Sequence, residues 1–156
     1  MNWRRATDFE LDLLAEWNHQ LIEDEGHRNP MCVAELRERM RGWLFSDYIA
    51  VVFANDEDVA YALFRESEEE IYLRQFFVRR DKRRSGVGSR AMAILFEEIW
   101  PRDKRLTVDA LVRNAEAVAF WRSVGYLDYC LSLEILPNER SAQTCDSETP
   151  TLAAGD

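Results

Sequence analysis

The chain has 156 residues, 47% of them hydrophobic and 12% aromatic, and its formal net charge is −9. This length and composition predict one domain with enough apolar residues for a buried core. The acidic charge disfavours a nucleic-acid partner, because phosphate backbones would be repelled over most of the surface.

The cysteines and the short apolar runs indicate in which cellular compartment the protein is expected. Cys32, Cys130 and Cys145 are far apart and odd in number, which fits neither a disulfide framework nor a metal site and favours a reducing compartment. Residues 1–5 lack the apolar core of a secretory signal, and no apolar run approaches the ~18 residues of a membrane span. We therefore expect a cytoplasmic protein with no metal and no membrane partner.

The first third of the chain predicts a short strand and two helices. Residues 3–6 have a strand pattern, and Thr7 with Glu10 has the signature of a capping box at a helix start. That helix is expected to end near Glu25, because Gly26 follows. A second helix is predicted from apolar residues at helical spacing: Val33, Leu36, Met40 and then Trp43 or Leu44.

The remainder predicts strands and helices in alternation, followed by a polar tail. Acidic turns separate three strands, which indicates an antiparallel meander. The predicted elements are strands at 47–54, 58–66 and 70–79, a helix from 87 to 100, a strand at 106–112, a helix from 114 and a last strand at 126–135. Residues 137–156 are polar and lack periodicity, so we expect a disordered tail there.

A basic loop with two glycines joins the third strand of the meander to the next helix. Residues 79–90 hold six basic residues and one acid, and Gly86 and Gly88 stand where the helix begins. The first N–H groups of a helix have no intrahelical partner, and the helix dipole makes that end partly positive. Glycine also lets an anion approach the backbone closely. The loop is predicted to bind a compact polyphosphate, the alternative being a solvated charged turn.

Two sequence blocks narrow this prediction. The loop lacks the Gly-Lys-Ser/Thr of a P-loop and the three glycines of a dinucleotide fingerprint. The first block is Val78-x-x-x-x-Arg83-x-x-Gly86-x-Gly88, and the second, at 114–126, is Asn-Ala-Glu-Ala-Val-Ala-Phe-Trp-Arg-Ser-Val-Gly-Tyr. They resemble the acyl-CoA pyrophosphate loop and the later Asn-x-x-Ala-x-x-Phe-Tyr-x-x-x-Gly-Phe helix of the GNAT superfamily of N-acetyltransferases. The resemblance covers roughly residues 1–136.

This resemblance implies a mixed α/β (α+β) domain at residues 1–136, with a mostly antiparallel sheet flanked by helices in the order β-α-α-β-β-β-α-β-α-β. It also implies transfer of an acetyl group from acetyl-CoA to an amine of a small molecule or peptide, by direct attack in a ternary complex. The residues that it assigns to acyl-CoA binding are Phe76, Val78, Arg83, Arg84, Ser85, Gly86, Val87, Gly88, Ser89, Asn114, Phe120 and Trp121.

The resemblance also implies roles in catalysis. Backbone groups of Phe76 and Val78 would pair with the pantetheine arm, and an N–H near Val78 would stabilise the oxyanion of the tetrahedral intermediate. Asn114 would contact the pantetheine or orient a proton donor, and it would also serve as a helix N-cap.

Two positions depart from the family pattern. Trp121 stands where the family often has a Tyr proton donor, and because indole does not ionise usefully we expect Trp121 to pack. Arg74 stands where many relatives carry a Glu base. It is expected to pair either with an anionic group of the acceptor or with a neighbouring acid.

The base is then expected in the loop between the two N-terminal helices, which lines the acceptor pocket in the resembled fold. Candidates are Glu23, Asp24, Glu25, His27 or a water molecule. We assign Glu23 as the base, with Glu25 and His27 contacting the acceptor. The alternative is that this acidic run is a solvated helix end.

Two further interpretations concern activity and assembly. Because both usual acid and base positions are altered, the alternative function is a non-catalytic acyl-CoA-binding domain for sensing or assembly.

The family commonly ends in a two-strand hairpin, whereas only the strand 126–135 follows the second block. An unpaired apolar edge strand invites pairing with another chain, so we predict a homodimer with this strand at or near the interface. The alternative is a monomer whose tail covers the edge.

Overall fold

Five strands form one sheet in the order β1-β2-β3-β4-β5 in the computed structural model, which describes residues 1–140. Neighbouring strands are antiparallel except for the parallel pair β4 and β5. The strands are β1 Asn2–Arg5, β2 Tyr48–Ala54, β3 Asp58–Glu66, β4 Glu70–Val78 and β5 Arg105–Val108. The helices are α1 Leu11–Glu25, α2 Val33–Leu44, α3 Val87–Ile94 and α4 Ala115–Ser123. This is the predicted fold class.

The start and end of α1 follow the predicted signals. The Thr7 N–H donates to Glu10 Oε2 at 2.7 Å, and Thr7 Oγ1 accepts from the Phe9 N–H at 3.4 Å, so the capping box is formed. A 3₁₀ turn, Asp8–Glu10, leads into the helix. Gly26 ends it in a left-handed conformation with φ of 68°.

Two apolar layers hold the helices on opposite faces of the sheet. On one face α1 and α2 pack against the strands through a core that includes Leu14, Trp17, Met40, Tyr61 and Phe77. On the other face α3 and its π-helical extension, Leu95–Ile99, pack through a core that includes Phe53, Phe64, Ile71, Met92 and Leu95. Side chains of α4 join this second core.

The predicted last strand, 126–135, is wrong for this chain taken alone. No residue from 126 to 136 is in a strand, and alternate apolar side chains there are exposed: Leu127, Tyr129, Leu131, Leu133 and Ile135. A strand needs a hydrogen-bonded neighbour, and within residues 1–140 β5 is paired only with β4. The element order therefore ends at α4, and β5 is shorter than the predicted 106–112.

The structure does not describe two parts of the chain for which the sequence made predictions. Cys145 and most of the predicted tail, 137–156, lie outside the described residues. Within residues 1–140, no helix has the length and apolar character needed to cross a membrane. Among the described residues, Cys32 and Cys130 form no disulfide.

Candidate functional site

The loop after β4 turns sharply into the N-terminus of α3. Arg84 and Gly86 both have left-handed backbone conformations, with φ of 61° and 81°. Gly86 is the N-cap of α3, and the Arg90 N–H donates the first helical bond to the Gly86 carbonyl at 3.1 Å. The N–H groups of residues 87–89 precede that bond. They have no helical acceptor and can bind an anion.

Gly88 lets this helix end pack closely against α4 and β4. A Cβ built at Gly88 would lie 3.2 Å from the ring of Phe120 and 3.6 Å from a methyl group of Val78. A side chain there would crowd the Phe120 ring, whereas its contact with Val78 would be an ordinary one. The glycine therefore keeps the free N–H groups of residues 87–89 beside the end of β4, as a loop that approaches a polyphosphate through its backbone requires.

The two arginines predicted to bind phosphate differ in structure. Arg83 Nη2 donates to Asp24 Oδ2 at 2.6 Å, and Arg83 Nε donates to the carbonyl of the last β4 residue at 2.8 Å, so this side chain ties the loop to α1. Burial raises the pKa of Asp24, but hydrogen bonds from Arg80 and Arg83 outweigh burial and hold that pKa below its usual value. The side chain of Arg84 is 84% exposed, 3.5 Å from Glu116, so its charge remains accessible to a ligand.

Strand β4 loses one neighbour part-way along its length. Its parallel pairing with β5 ends at Leu73 and Val108, while its pairing with β3 continues to Val78. The β3–β4 register shifts between Leu73 and Gln75, so Arg74 is the extra residue of a β-bulge. From Arg74 to Val78, one edge of β4 has no strand beside it in the described part of the chain. Its backbone groups can pair with an extended ligand.

Aromatic side chains line the α3/α4 side of this opening. Phe76 stacks on Phe120 with ring centroids 5.8 Å apart, and the Trp121 ring lies 5.6 Å from Phe76 and 5.0 Å from Phe120. These are packing contacts, as expected for Trp121. At the start of α4, Asn114 Oδ1 accepts from the Ala117 N–H at 3.2 Å, so Asn114 is a helix N-cap.

The last residue of α1, Glu25, is a carboxylate with a raised pKa. Glu25 Oε2 lies 3.0 Å from His27 Nε2. Burial raises the pKa of Glu25, the charge of Asp24 raises it further, and His27 opposes them only in part. A carboxylate whose pKa is raised toward neutrality is better matched to accept a proton from an amine. Glu23 instead pairs with Arg80 at 3.1 Å and is 54% exposed, so the geometry favours Glu25 over Glu23 as the base.

A buried polar chain that the sequence analysis missed connects α1 to β4. Gln75 Nε2 donates to Asn18 Oδ1 at 2.9 Å, and the Tyr61 hydroxyl donates to Gln75 Oε1 at 3.0 Å. Asn18 is completely buried. The one available signal was a polar residue beside the apolar stripe of α1. This chain fixes the helix that carries Glu25 against the open part of β4.

Comparison with known proteins identifies the family. The sequence profile of the acetyltransferase (GNAT) family matches residues 8–126. The chain belongs to the GNAT acetyltransferase family. It is an acyl-CoA-dependent N-acetyltransferase, and the resemblance drawn from the two sequence blocks is confirmed. No curated protein sequence matches this GNAT protein.

Solved structures share the fold of this GNAT protein at low identity. A mutant of a Bacillus halodurans protein aligns over 88% of this chain and 99% of its own, with a TM-score of 0.73 and 18% identity. An aminoglycoside 6′-N-acetyltransferase from Acinetobacter haemolyticus aligns over 88% of this chain and 98% of its own, with a TM-score of 0.70 and 18% identity. An aminoglycoside N-acetyltransferase solved in complex with CoA aligns over 88% of this chain and 94% of its own, with a TM-score of 0.68 and 13% identity.

The GNAT fold places most of the residues predicted to bind acyl-CoA next to one another. Two of them, Ser85 and Arg83, have side chains that bond to other parts of the protein. The open edge of β4, residues 86–89 and the aromatic pair of α4 adjoin one another. Ser85 Oγ donates to the Lys82 carbonyl at 2.5 Å, and Arg83 is bound to Asp24, so neither side chain is free in the described structure. In the GNAT fold these two residues shape the loop.

Proposed function

We propose that this GNAT protein transfers an acetyl group from acetyl-CoA to the amine of a small molecule or peptide by direct attack in a ternary complex. The observation that carries the proposal is the opening of β4 after Leu73, directly beside the free N–H groups of residues 87–89. An extended chain with a pyrophosphate at one end has the shape and charge for these two features together.

The residues present fit acetyl-CoA. On the open edge, backbone groups of Phe76 and the Val78 N–H pair with the pantetheine arm, and an N–H near Val78 donates to the thioester oxygen. The Val78 carbonyl already accepts from Arg83 Nε at 2.8 Å. The N–H groups of residues 87–89 bind the pyrophosphate, and Arg84 supplies countercharge. Gly88 supports this assignment, because the absence of a Cβ lets the helix end that carries those donors pack closely against Phe120 beside the end of β4.

Proton transfer is assigned to Glu25. An alkyl amine has a pKa of ~10.4 and must lose a proton to attack, and the raised pKa of Glu25 suits it to receive that proton directly or through water. No general acid is assigned. A thiol of pKa ~8.5 leaves as thiolate at a cost of about 2 kcal/mol near neutral pH.

The acceptor is a small molecule or peptide amine. The names of neighbours that act on aminoglycosides support a small-molecule amine. We also infer a cytoplasmic location, on the odd number and wide spacing of the three cysteines.

Thiol release tests this function. With acetyl-CoA and a panel of amines, we expect CoA thiol to appear only when an acceptor is added, in equal amount to acetylated amine measured by mass spectrometry. Acetyl-CoA binding with no amine-dependent thiol release would instead support the non-catalytic binding domain.

We also propose a homodimer joined through residues 127–135. In the described structure this segment is unpaired, and Leu131 and Leu133 are 63% and 86% exposed. Light scattering at micromolar concentration is expected to give a dimer mass. Leu133→Lys should give a monomer, and Ser132→Lys, one position away, should remain dimeric. A monomer mass for the full chain would refute the dimer, and a dimer that forms only after deletion of residues 137–156 would support the covered-edge alternative.

A further inference from the structure

Two arginine side chains meet at one tryptophan on the α1/α2 side of the opening. Arg39 of α2 and Arg74 of β4 have their guanidinium carbons 4.5 Å and 4.6 Å from the centroid of the Trp43 ring. Arg74 Nη1 also donates to the Tyr48 hydroxyl at 3.4 Å. Aromatic faces attract such cations, but they offer no acceptors for the N–H groups of a guanidinium.

This arginine pair has no carboxylate partner within residues 1–140. No Asp or Glu oxygen there lies within 4.0 Å of either side chain, and Arg39 Nε is buried without a hydrogen-bond partner. Burial lowers the pKa of Arg39, and the charge of Arg74 lowers it further. Elsewhere in the fold, neighbouring arginines share an acid, as Arg80 and Arg83 share Asp24. The prediction that Arg74 pairs with a neighbouring acid is therefore wrong for the described chain.

Arg39 and Arg74 lie near the point where β4 loses its second neighbour and near the helix that carries the proposed base. Arg74 is the bulge residue at which β4 becomes open, and its neighbour Gln75 is bonded to Asn18 on the helix that carries Glu25. Trp43 and Tyr48 belong to the α1/α2 face, whereas Phe76 packs on the opposite face with Phe120. The pair thus lies on the α1/α2 face of β4, the same face as the helix that carries the proposed base.

We propose that Arg39 and Arg74 bind an oxyanion, a carboxylate or phosphate, carried by the acceptor amine. Planar guanidinium groups bind such oxyanions through paired hydrogen bonds, and Arg74 is an exposed residue whose N–H groups no carboxylate within residues 1–140 occupies. The acceptor is therefore a zwitterionic amine. A polycationic amine would be repelled by two adjacent positive charges. This inference rests on the proposed transferase function and specifies its substrate class.

Binding can be read directly at Trp43, independently of turnover. The indole N–H resonance of Trp43 is followed by NMR in CoA-saturated protein during titration with amines. The oxyanion probes are the common amino acids and phosphoethanolamine. Their matched forms are the amino-acid amides and ethanolamine, which keep the ammonium group, are neutral at the position of the oxyanion and are called the neutral forms for that reason. Kanamycin is the polycation. We expect at least one oxyanion probe to shift the signal, with its neutral form binding about tenfold to a hundredfold more weakly. The amino-acid and phosphoethanolamine arms distinguish carboxylate from phosphate.

Two variants test whether Arg74 is responsible for binding the oxyanion probe. Arg74→Gln should weaken binding of that probe by about tenfold or more and leave acetyl-CoA affinity unchanged. Arg41→Gln, on the same helix as Arg39 but stacked on Phe45, should bind the probe like the unmodified protein. Equal binding of oxyanion and neutral forms, no shift with any oxyanion probe, or equal losses in the two variants would overturn the proposal.

Thiol release by the same panel separates this inference from the proposed function. Release with neutral or polycationic amines but with no oxyanion amine would refute the oxyanion site and keep the transferase. Arg74-dependent binding of an oxyanion probe, with no thiol release from any amine, would support the site and refute the transferase.

Discussion

Replacing Gly86 with valine is expected to weaken acetyl-CoA binding by about tenfold to a hundredfold. Gly86 has φ of 81° at the N-cap of α3, and within residues 1–140 no atom apart from its immediate chain neighbours lies within 4 Å of a Cβ built there. The loss therefore comes from strain in a left-handed conformation that a β-branched residue resists, and from a side chain placed at the anion-binding helix end. Isothermal titration calorimetry with acetyl-CoA measures the change.

Gly26 provides a matched control for the strain. It also has a left-handed conformation, with φ of 68°, and open space around its Cβ position, but it ends α1 instead of starting α3. Gly26→Val should lose a similar amount of stability and keep its acetyl-CoA affinity. If both variants bind acetyl-CoA as the unmodified protein does, the glycine loop is not the pyrophosphate site.

Replacing Glu25 with glutamine is expected to lower kcat/KM by about a hundredfold or more at neutral pH, because the proposed base is removed. Since the pKa of Glu25 is raised, activity of the unmodified enzyme should rise with pH through that raised value, as the carboxylate loses its proton. The variant should lack this dependence. Steady-state kinetics across pH, with a saturating acceptor identified by thiol release, measure both effects.

This experiment has two controls: the stability of Glu25→Gln and the activity of the neighbouring variant Glu23→Gln. A raised folded-state pKa means that ionised Glu25 costs stability as pH rises from the ordinary glutamate pKa through the raised value, so Glu25→Gln should not be destabilised at neutral pH. Glu23→Gln removes the carboxylate paired with Arg80 and should change kcat/KM less than about threefold, as is usual for an exposed ion pair. A large loss in Glu23→Gln with none in Glu25→Gln would restore Glu23 as the base.

The local geometry of the proposed acyl-CoA site was predictable because its residues are adjacent in sequence. Strand, glycine loop and helix start lie between residues 70 and 94, and a backbone-built site follows from local conformation. The side-chain partners were not predictable. Arg83 was expected to face the phosphate, but Asp24, distant in sequence, holds it in an ion pair.

The acceptor side and the last strand depend on contacts between distant segments. Asn18, Gln75 and Tyr61 become one chain only when α1 packs on β3 and β4, and Arg39 meets Arg74 only across α2 and the bulge. The alternation at 126–135 predicted a strand with one apolar face, but the segment forms no strand and its apolar side chains are exposed. Alternation alone does not supply a pairing neighbour, and within residues 1–140 the segment has none.

Backbone hydrogen exchange in the presence of acetyl-CoA tests the central claim most directly. If the cosubstrate lies along the open edge of β4 and ends at α3, the amides on that edge and at the helix start should exchange more slowly on binding. We expect slower exchange at Phe76, at Val78 and at residues 87–89, and unchanged exchange in β1 at the far edge of the sheet. Acetyl-CoA binding that leaves all five of these amides unprotected would contradict the account.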